Sequence, residues 1–148
     1  MTKASAIDPA LSVIRVRVRF GETDLMRVVH HGSYVTYMEV GRVEWLRRRG
    51  VVYADWAKSG LHLAVVELTL RYLAPARFDD ELDVEVLLGQ VRAASVRFDY
   101  RIARPADGVL CAEGATRLAC VDDQQGLRRI GPEISEVLAR AEKPLVTA

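Results

Sequence analysis

The segment Ile14-Arg15-Val16-Arg17-Val18-Arg19-Phe20 alternates strictly between an apolar side chain at each even position and an arginine at each odd one. A helix cannot separate such a pattern into two faces, because helical side chains repeat about every 3.6 residues, whereas successive side chains on a strand point to opposite faces. The segment therefore predicts a strand with its even-numbered residues buried and its arginines in water. A sheet containing this strand needs a cover on one side.

Four later segments show the same alternation or a β-like apolar run, and they predict strands over residues 62–72, 81–88, 94–102 and 109–121. In the segment 62–72 we expect one buried face, made of Ala64, Val66, Leu68, Leu70 and Tyr72. In the segment 81–88 the outward face is acidic at its start, which complements the arginine face of the first strand. Opposed charges across neighbouring strands favour pairing of the first strand with the third.

Between the first two strands, Ser33–Arg49 changes to a helical spacing, with Tyr34, Met38, Gly41 and Trp45 on one face. Gly32 or Ser33 would cap its start, the arginines 47–49 suit its negative end, and Gly50 would stop it. Glycine in mid-helix costs about 1 kcal/mol relative to alanine, so Gly41 indicates close packing against a flat surface. A short helix is predicted from Pro132 to about residue 141.

The predicted order is strand, long helix, four strands and short helix. Because the long helix is the one large cover for a sheet with one apolar face, we expect an α+β fold in which a curved, five-stranded antiparallel sheet wraps around that helix. At 148 residues the chain fits one domain, 1–148, with its core at about 12–122.

The composition excludes several classes of function. The net charge of +1 provides no basic field for nucleic acid or an anionic membrane. No apolar run approaches the roughly 18 residues that a membrane span needs, and charged residues interrupt any secretory leader. No cofactor motif or metal-ligand spacing is present, so we expect neither.

Two cysteines, Cys111 and Cys120, fall on the same predicted strand at an odd spacing. Alternation predicts that they point to opposite faces, about 30 Å apart, too far for a disulfide. A reducing cytoplasm is the simplest compartment for such a chain.

The segment from Phe20 to Tyr34, which joins the first strand to the long helix, carries the residues most suited to chemistry. It contains Asp24 and the pair His30 and His31 just before the helix begins. A helix N-terminus presents unpaired backbone N–H groups and partial positive charge, which suit a developing oxyanion. A carboxylate beside it can attack a carbonyl or deprotonate water, so acyl transfer needs no serine or cysteine here.

The same segment resembles a known signature. Glu22-Thr23-Asp24, Val28-Val29-His30-His31, Ser33-Tyr34 and Glu39 with Arg42 are similar to the 4-hydroxybenzoyl-CoA thioesterase family of hotdog proteins, and closest to the Tol–Pal-associated acyl-CoA thioesterases. The stretch 72–77, followed by Asp79-Asp80, resembles the connection between the second and third strands of that family. The likeness runs from about residue 13 to about residue 121.

This resemblance implies a hotdog fold, hydrolysis of an acyl-CoA or acyl-carrier thioester, and a homodimer or homotetramer whose sites lie between protomers. It implies that Asp24 is the catalytic carboxylate, as nucleophile or general base, and that the backbone N–H of His31 polarises the thioester carbonyl. An aspartate with an ordinary pKa near about 3.9 is ionised at neutral pH, which favours the nucleophile role slightly, since a general base works best with a pKa near the working pH.

The resemblance also suggests substrate contacts from Val29 and Tyr34, and it exposes two departures. Relatives commonly have glycine where this chain has Arg27 and asparagine where it has Ser33. Arg27 would line the pocket mouth or pair with Asp24. A second group of contacts is suggested for the phosphates of CoA at the turn between the third and fourth strands, where this chain has Arg92 and Ser95 but alanines between them.

Other interpretations remain beside this one. Glu39 with Arg42 is more typical of a helix ion pair, and Glu39 is the reserve base, since a related thioesterase group uses a helix glutamate. Adjacent histidines usually point apart, so His30 and His31 do not predict a metal site. The alternative functions are a non-catalytic acyl-CoA binding module and a hotdog hydratase or dehydratase acting on acyl thioesters.

Overall fold

The computed structural model describes residues 8–143. Its elements are, in chain order, β1 (Leu11–Arg17), a one-turn 3-10 helix (Phe20–Glu22), α1 (Ser33–Arg47), α2 (Tyr53–Lys58), β2 (His62–Tyr72), β3 (Glu81–Val91), β4 (Ser95–Arg104), β5 (Val109–Val121) and α3 (Pro132–Leu138). The strands form one antiparallel sheet in the order β1-β3-β4-β5-β2. The five predicted strands are confirmed. Within residues 8–143 no helix has the length and apolar character to span a membrane.

Strand β1 lies beside β3, as its charges predict. Arg15 donates to Asp83 at 2.9 Å and reaches Glu81 at 3.3 Å, while Arg17 pairs with Glu81 and Asp79. All of these side chains are at least partly exposed, so each pair adds at most about 1 kcal/mol. The row of pairs sets the register of β1 more than it adds stability.

Helix α1 lies across the concave face of the sheet, and its predicted apolar face is buried. A Cβ on Gly41 would come within 2.8 Å of Val86 and 2.9 Å of Val84, so only glycine lets the helix approach β3 this closely. Trp45, which is fully buried, packs edge-on against Phe98 with ring centroids 5.1 Å apart. This arrangement confirms the hotdog fold, in which a curved antiparallel sheet wraps around one long helix.

The predicted buried face of β2 is wrong for the first half of the strand, where Leu63 is buried and Val66 is exposed. The register with β5 shifts between Val65 and Glu67, and this bulge exchanges the two faces of the strand. In the second half Leu70 packs against the core and Tyr72 packs against Tyr34 of α1, so the even-numbered residues face the core side there as predicted, although Leu68 and Tyr72 are exposed at this edge of the sheet.

Several boundaries differ from expectation: β3 continues to Val91, and β4 runs from Ser95 to Arg104. Strand β1 ends at Arg17, and Phe20 is 77% exposed in the 3-10 turn, where its ring packs edge-on against Phe78. Helix α1 ends at Arg47 and α3 at Leu138. Helix α2 was not predicted, because its six residues are too few to show a helical period.

The cysteines do not lie on opposite faces. Both are fully buried in the same core cluster and both are free thiols. Strand β5 gains one residue relative to β4 at Cys111, because Ile102 pairs with Ala112 whereas Ala103 pairs with Leu110. That extra residue cancels the odd spacing on which the prediction rested.

Candidate functional site

The segment between the 3-10 helix and α1 folds into a tight loop over residues 24–28. A bridge between Thr23 and Val29 closes it, and the N–H of Asp24 donates to the carbonyl of Val28 at 3.0 Å. At the tip, Arg27 has φ = 63°, a left-handed conformation that glycine adopts freely and that costs other residues about 1–2 kcal/mol. This conformation explains in physical terms why a glycine suits this position.

Glu22 holds the far side of the loop against α1. Its carbonyl accepts the N–H of His30 at 2.8 Å and the hydroxyl of Ser33 at 3.1 Å, and its carboxylate accepts the hydroxyl of Tyr37 at 2.9 Å. Burial alone would raise the pKa of Glu22, but hydrogen bonds from Arg19 and Tyr37 hold it below the ordinary value. Burial and the Glu22 carboxylate both raise the pKa of Tyr37. The network fixes where the loop meets the helix.

Asp24 and His31 line one cleft of about 330 Å³, which we call the loop cleft. Val29 and Tyr34, both almost fully buried, line it as well. The facing wall is residues 72–75, where the chain leaves β2. The structure therefore brings together four of the residues singled out from the sequence.

The polar groups of the loop cleft are only partly satisfied. Asp24 is half-buried, and its Oδ1 accepts the N–H of Met26 at 2.8 Å. The backbone N–H of His31 has no hydrogen-bond acceptor among residues 8–143. Gly32 occupies the N-cap of α1, so no side chain caps the helix there. Asp24 thus lines the same cleft as His31, a residue with a free amide among residues 8–143 at the positive end of a helix, and this combination can act on an acyl group.

Tyr72 is a lining residue that we did not predict as part of the site. Its hydroxyl donates to the carbonyl oxygen of His31 at 2.9 Å, and its ring meets that of Tyr34 edge-on at 5.5 Å. It ends β2, which explains why the alternation of that strand concealed it. The resemblance of the stretch 72–77 to a family motif was the available signal.

Arg27 and Ser33 lie at the edge of this arrangement. Arg27 is exposed and does not line the loop cleft, and within the described chain it forms no ion pair with Asp24. Of the two predicted caps, Gly32 and Ser33, Gly32 takes the N-cap position. Ser33 does not cap the helix, because its hydroxyl donates to the carbonyl of Glu22.

The predicted ion pair between Glu39 and Arg42 is absent from residues 8–143. Arg42 instead donates to the hydroxyl of Tyr100 at 3.2 Å, and that hydroxyl contacts Thr116 at 2.7 Å inside the core. Glu39 is exposed on α1 and lines a different groove, beside Arg42 and Val43. The reserve base therefore does not reach the loop cleft within one protomer.

Arg92 and Ser95 line a second cavity, on the convex side of the sheet, which we call the outer-face pocket. Ser95 is level with Ala119 of β5 and thereby with Ala64 of β2. The pocket also reaches Thr69 of β2, which is three residues from Tyr72, so the linings of the two cavities approach to about 10 Å along that strand.

The rings of the two histidines lie against each other at the start of α1. His30 accepts the N–H of Gly32 through Nδ1 at 3.0 Å, and its ring stacks on that of His31 at 4.0 Å. Among the described residues, no group of three or more histidine, cysteine, aspartate or glutamate side chains is placed to hold a metal ion.

Comparisons with known proteins agree with this architecture. The chain is 35% identical over 129 residues to a Synechocystis protein named as an esterase, covering 86% of this chain and 78% of that one. It is 35% identical over 107 residues to the acyl-CoA thioester hydrolase YbgC of Escherichia coli O6:H1, covering 72% and 79%. A crystal structure of the hypothetical protein TT1821 from Thermus thermophilus superposes with a TM-score of 0.81 at 40% identity, covering 87% and 95%.

The family comparison gives the same result over nearly the whole described chain. A family model described as the thioesterase-like superfamily matches residues 18–141, a range that includes the loop cleft, the outer-face pocket and helix α3. The chain belongs to the thioesterase-like superfamily of hotdog proteins.

Proposed function

We propose that this protein hydrolyses the thioester of an acyl-CoA, with Asp24 as the catalytic carboxylate. Thioester hydrolysis is the activity that its family membership supports. The single observation that carries the residue assignment is the loop cleft, which is lined by both Asp24 and His31, a residue whose N–H has no acceptor among residues 8–143.

In the proposed mechanism the thioester carbonyl oxygen accepts a hydrogen bond from the N–H of His31, at the positive end of α1. This contact stabilises the negative charge that develops on the oxygen in the transition state. The Asp24 carboxylate attacks the carbonyl carbon, the C–S bond breaks, and the thiolate takes a proton from water. Water then hydrolyses the resulting mixed anhydride and restores the carboxylate.

The alternative role for Asp24 is a general base, which takes a proton from a water molecule as that water attacks the carbonyl. We favour the nucleophile, because a carboxylate can attack a carbonyl carbon without a second group to activate it. Single-turnover kinetics separates the two roles. Thiol released ahead of free acid indicates an acyl-enzyme, whereas simultaneous release indicates the general base.

We infer that the working unit is at least a homodimer formed through β2, with a homotetramer as the larger possibility. An exposed edge strand of 11 residues is a template for pairing with a second chain. Apolar side chains of β2 are exposed at Val65, Val66 and Leu68. An antiparallel pairing of two such edges would bring the outer-face pocket of one protomer towards the loop cleft of its partner.

We propose that residues 1–148 form one hotdog domain of the 4-hydroxybenzoyl-CoA thioesterase type, nearest to the Tol–Pal-associated group, and that the protein works in the cytoplasm. A protein-bound acyl carrier is the alternative to CoA, since only Arg92 and Ser95 remain of the suggested phosphate contacts at the hairpin. Val29 and Tyr34 are proposed to contact the acyl group and Arg27 the cleft mouth.

The decisive experiment measures hydrolysis of short, long, aromatic and carrier-bound acyl thioesters by wild type and by Asp24→Asn. The release of free thiol reports the rate. Asparagine keeps the side-chain oxygen that accepts the N–H of Met26, so the loop is expected to survive. We expect kcat to fall by at least about 100-fold, the usual range for removing such a group.

Glu39→Gln is the matched comparison, because it also replaces one carboxylate by an amide, on the exposed face of α1. It is expected to keep near wild-type turnover. If Asp24→Asn stays active and Glu39→Gln does not, the assignment of the catalytic carboxylate is wrong. If wild type binds acyl-CoA but releases no thiol from any substrate, the protein is a binding module instead.

A further inference from the structure

The facing wall of the loop cleft, residues 72–75, is held from behind by two strands of the sheet. Leu73 and Ala74 donate their N–H groups to a carbonyl of β5, at 2.8 and 3.1 Å. Proline has no backbone N–H, so the carbonyl is the one backbone group of Pro75 that can be hydrogen-bonded. That carbonyl accepts a hydrogen bond from Nη1 of Arg104, at 3.0 Å. An arginine side chain at the end of β4 therefore holds the last residue of the wall.

Arg104 approaches the wall from the side opposite the loop cleft. Only 16% of its side chain is exposed, and it lines a separate groove beside Asp80 and Pro105. Its Nη1 also lies 3.3 Å from Asp80, while Nε and Nη2 donate to Asp107 of the β4–β5 hairpin at 2.9–3.1 Å. One guanidinium group thus connects the wall, the start of β3 and the hairpin.

Asp80 gives this guanidinium a fixed anchor just before β3. Its Oδ2 also accepts the N–H of Arg77 at 2.9 Å, and its carbonyl accepts the N–H of Val18, just after β1, at 2.9 Å. Hydrogen bonds that involve a charged group are about twice as strong as those between neutral groups. Arg104 therefore resists displacement of Pro75 relative to the sheet.

The wall contacts both halves of the proposed catalytic site. At its first residue, the hydroxyl of Tyr72 donates to the carbonyl of His31 at 2.9 Å. Just after its last residue, the carbonyl of Ala76 accepts the N–H of Val29 at 2.8 Å, and Val29 closes the loop that carries Asp24. A displaced wall would therefore move the carboxylate and the helix N-terminus relative to each other.

We propose that Arg104 is a positioning residue for thioester hydrolysis, which fixes the wall and thereby the separation between the Asp24 carboxylate and the His31 N–H. This role rests on the proposed function, in which those two groups act on one carbonyl. Arg104 does not line the loop cleft, so it acts through Pro75 and not on the substrate. Catalysis of this kind is sensitive to geometry, since a displacement of about 1 Å can lower a rate about 100-fold.

The first test compares Arg104→Gln with Arg101→Gln. The control removes an arginine from an exposed position of the same strand, where it lies 3.7 Å from Glu85. We expect Arg104→Gln to lower kcat by at least about tenfold with a smaller change in KM, and Arg101→Gln to keep the wild-type kcat. The kcat is expressed per folded molecule, with the folded fraction taken from urea unfolding, so a loss of stability alone leaves it unchanged.

Hydrogen exchange of the Val29 N–H, followed by NMR, tests the positioning without turnover. Because the Ala76 carbonyl accepts that N–H, a displaced wall opens it to exchange. We expect exchange at least about tenfold faster in Arg104→Gln than in wild type, and unchanged in the control variant. The N–H of Ile130, held by the β3–β4 hairpin at the other end of β4 at 2.8 Å, reports general destabilisation and should keep its rate.

Arg104→Lys provides a milder variant if Arg104→Gln fails to fold, because it keeps a positive charge beside Asp80 and Asp107. An ammonium group lacks the planar fork that binds Pro75 and Asp107 at the same time. We therefore expect a kcat about threefold or more below that of wild type, and above that of Arg104→Gln where both variants fold.

The positioning role is overturned if both Arg104 variants keep the wild-type kcat, or if Arg101→Gln loses as much. It is also overturned if exchange at Val29 accelerates no more than exchange at Ile130. A wild type that hydrolyses no thioester would overturn the proposed function and the positioning role together, whereas an active wild type with unaffected Arg104 variants would overturn the positioning role alone.

Discussion

The two ends of helix α1 are finished in opposite ways. At the C-terminal end, Arg49 is completely buried and donates to the hydroxyl of Ser12 at 2.8 Å and to the carbonyls of Pro9, Trp45 and Arg140 at 2.8–3.0 Å. At the N-terminal end, Gly32 provides no side-chain cap and the N–H of His31 has no acceptor among residues 8–143. The first end is closed by segments distant in sequence, whereas at the second end His30 accepts the N–H groups of Gly32 and Ser33, and the N–H beside the cleft, that of His31, is left without an acceptor among residues 8–143.

The difference is informative because both ends begin with the same requirement. Every helix leaves about four N–H groups and four carbonyls without helical partners. At the C-terminal end the chain returns to supply them, since the N–H of Lys143 reaches the carbonyl of Arg48 at 2.9 Å and Arg140 donates to Arg49 at 3.0 Å. A chain able to close one end so completely but not the other is consistent with a ligand group completing the second.

The largest expected effect is at the closed end. Replacing Arg49 by methionine leaves a hydroxyl and three carbonyls without their donor, and removes the guanidinium that lies 3.6 Å from the centre of the Trp45 ring. We expect the free energy of unfolding to fall by about 3 kcal/mol, which corresponds to a Tm lower by about 6–12 °C. Urea and thermal unfolding measure both quantities.

Arg47→Met is the matched control, because Arg47 is exposed on the last turn of the same helix and, among residues 8–143, pairs only with Glu44. This substitution should lower the free energy of unfolding by less than about 1 kcal/mol. Turnover per folded molecule of Arg49→Met should equal that of wild type. A stable Arg49→Met protein, or one with specifically lowered kcat, would show that the two ends are not distinct in role.

The second-largest effect is expected at the N-terminal end of α1, where Tyr72 contacts His31. Tyr72→Phe removes the hydroxyl that holds the His31 carbonyl but keeps the ring that packs on Tyr34. Loss of one such hydrogen bond corresponds to about 0.5–1.5 kcal/mol, so we expect kcat to fall by about 3–10-fold with little change in KM. Steady-state kinetics on one acyl-CoA separates the two parameters.

Tyr53→Phe serves as its control, because the Tyr53 hydroxyl also binds backbone near β2, at the N–H of Leu63, 3.0 Å away. That variant should lose stability by a similar amount and keep its kcat. An equal loss of kcat in both variants would mean that Tyr72 has only a structural role.

Sequence reasoning succeeded where the physical signal is periodic. The alternation over residues 14–18 correctly predicted the buried face of β1. The charges of Arg15 and Asp83 correctly predicted that β3 lies beside it. It also located Gly41 as the point of closest approach between α1 and the sheet. The likeness of one loop to a family motif was enough to expect Asp24 and His31 in one cleft, which the structure supports geometrically.

Sequence reasoning failed where one inserted residue or one tertiary contact decides which side chain is buried. A bulge near Val66 reversed the faces of the first half of β2, and another at Cys111 placed both cysteines in the core. The arginines 47–49 looked equivalent as charges at a helix end, yet only Arg49 is buried, because its partners come from segments about 40 and 90 residues away in sequence. Neither local periodicity nor charge contains that information.

The smallest effect is expected from two glutamates, Glu22 at the N-terminal end of α1 and Glu142 at its C-terminal end. Burial would raise the pKa of Glu142, but Ser12 and Arg48 hold it below the ordinary value, as Arg19 and Tyr37 do for Glu22. A lowered pKa means that each carboxylate stabilises the fold above its unfolded pKa, near about 4.3, and that this contribution is lost as the pH falls through the folded pKa.

Glu22→Gln and Glu142→Gln should therefore each cost up to about 1 kcal/mol at pH 7, and the difference from wild type should shrink towards pH 3. Urea unfolding at both pH values measures it. Only Glu22→Gln should also lower kcat, because Glu22 fixes the loop that carries Asp24, whereas Glu142 acts at the closed end. A loss of kcat in Glu142→Gln at pH 7 would mean that the closed end communicates with the cleft along α1, and the division of the helix into a structural and a functional end would have to be abandoned.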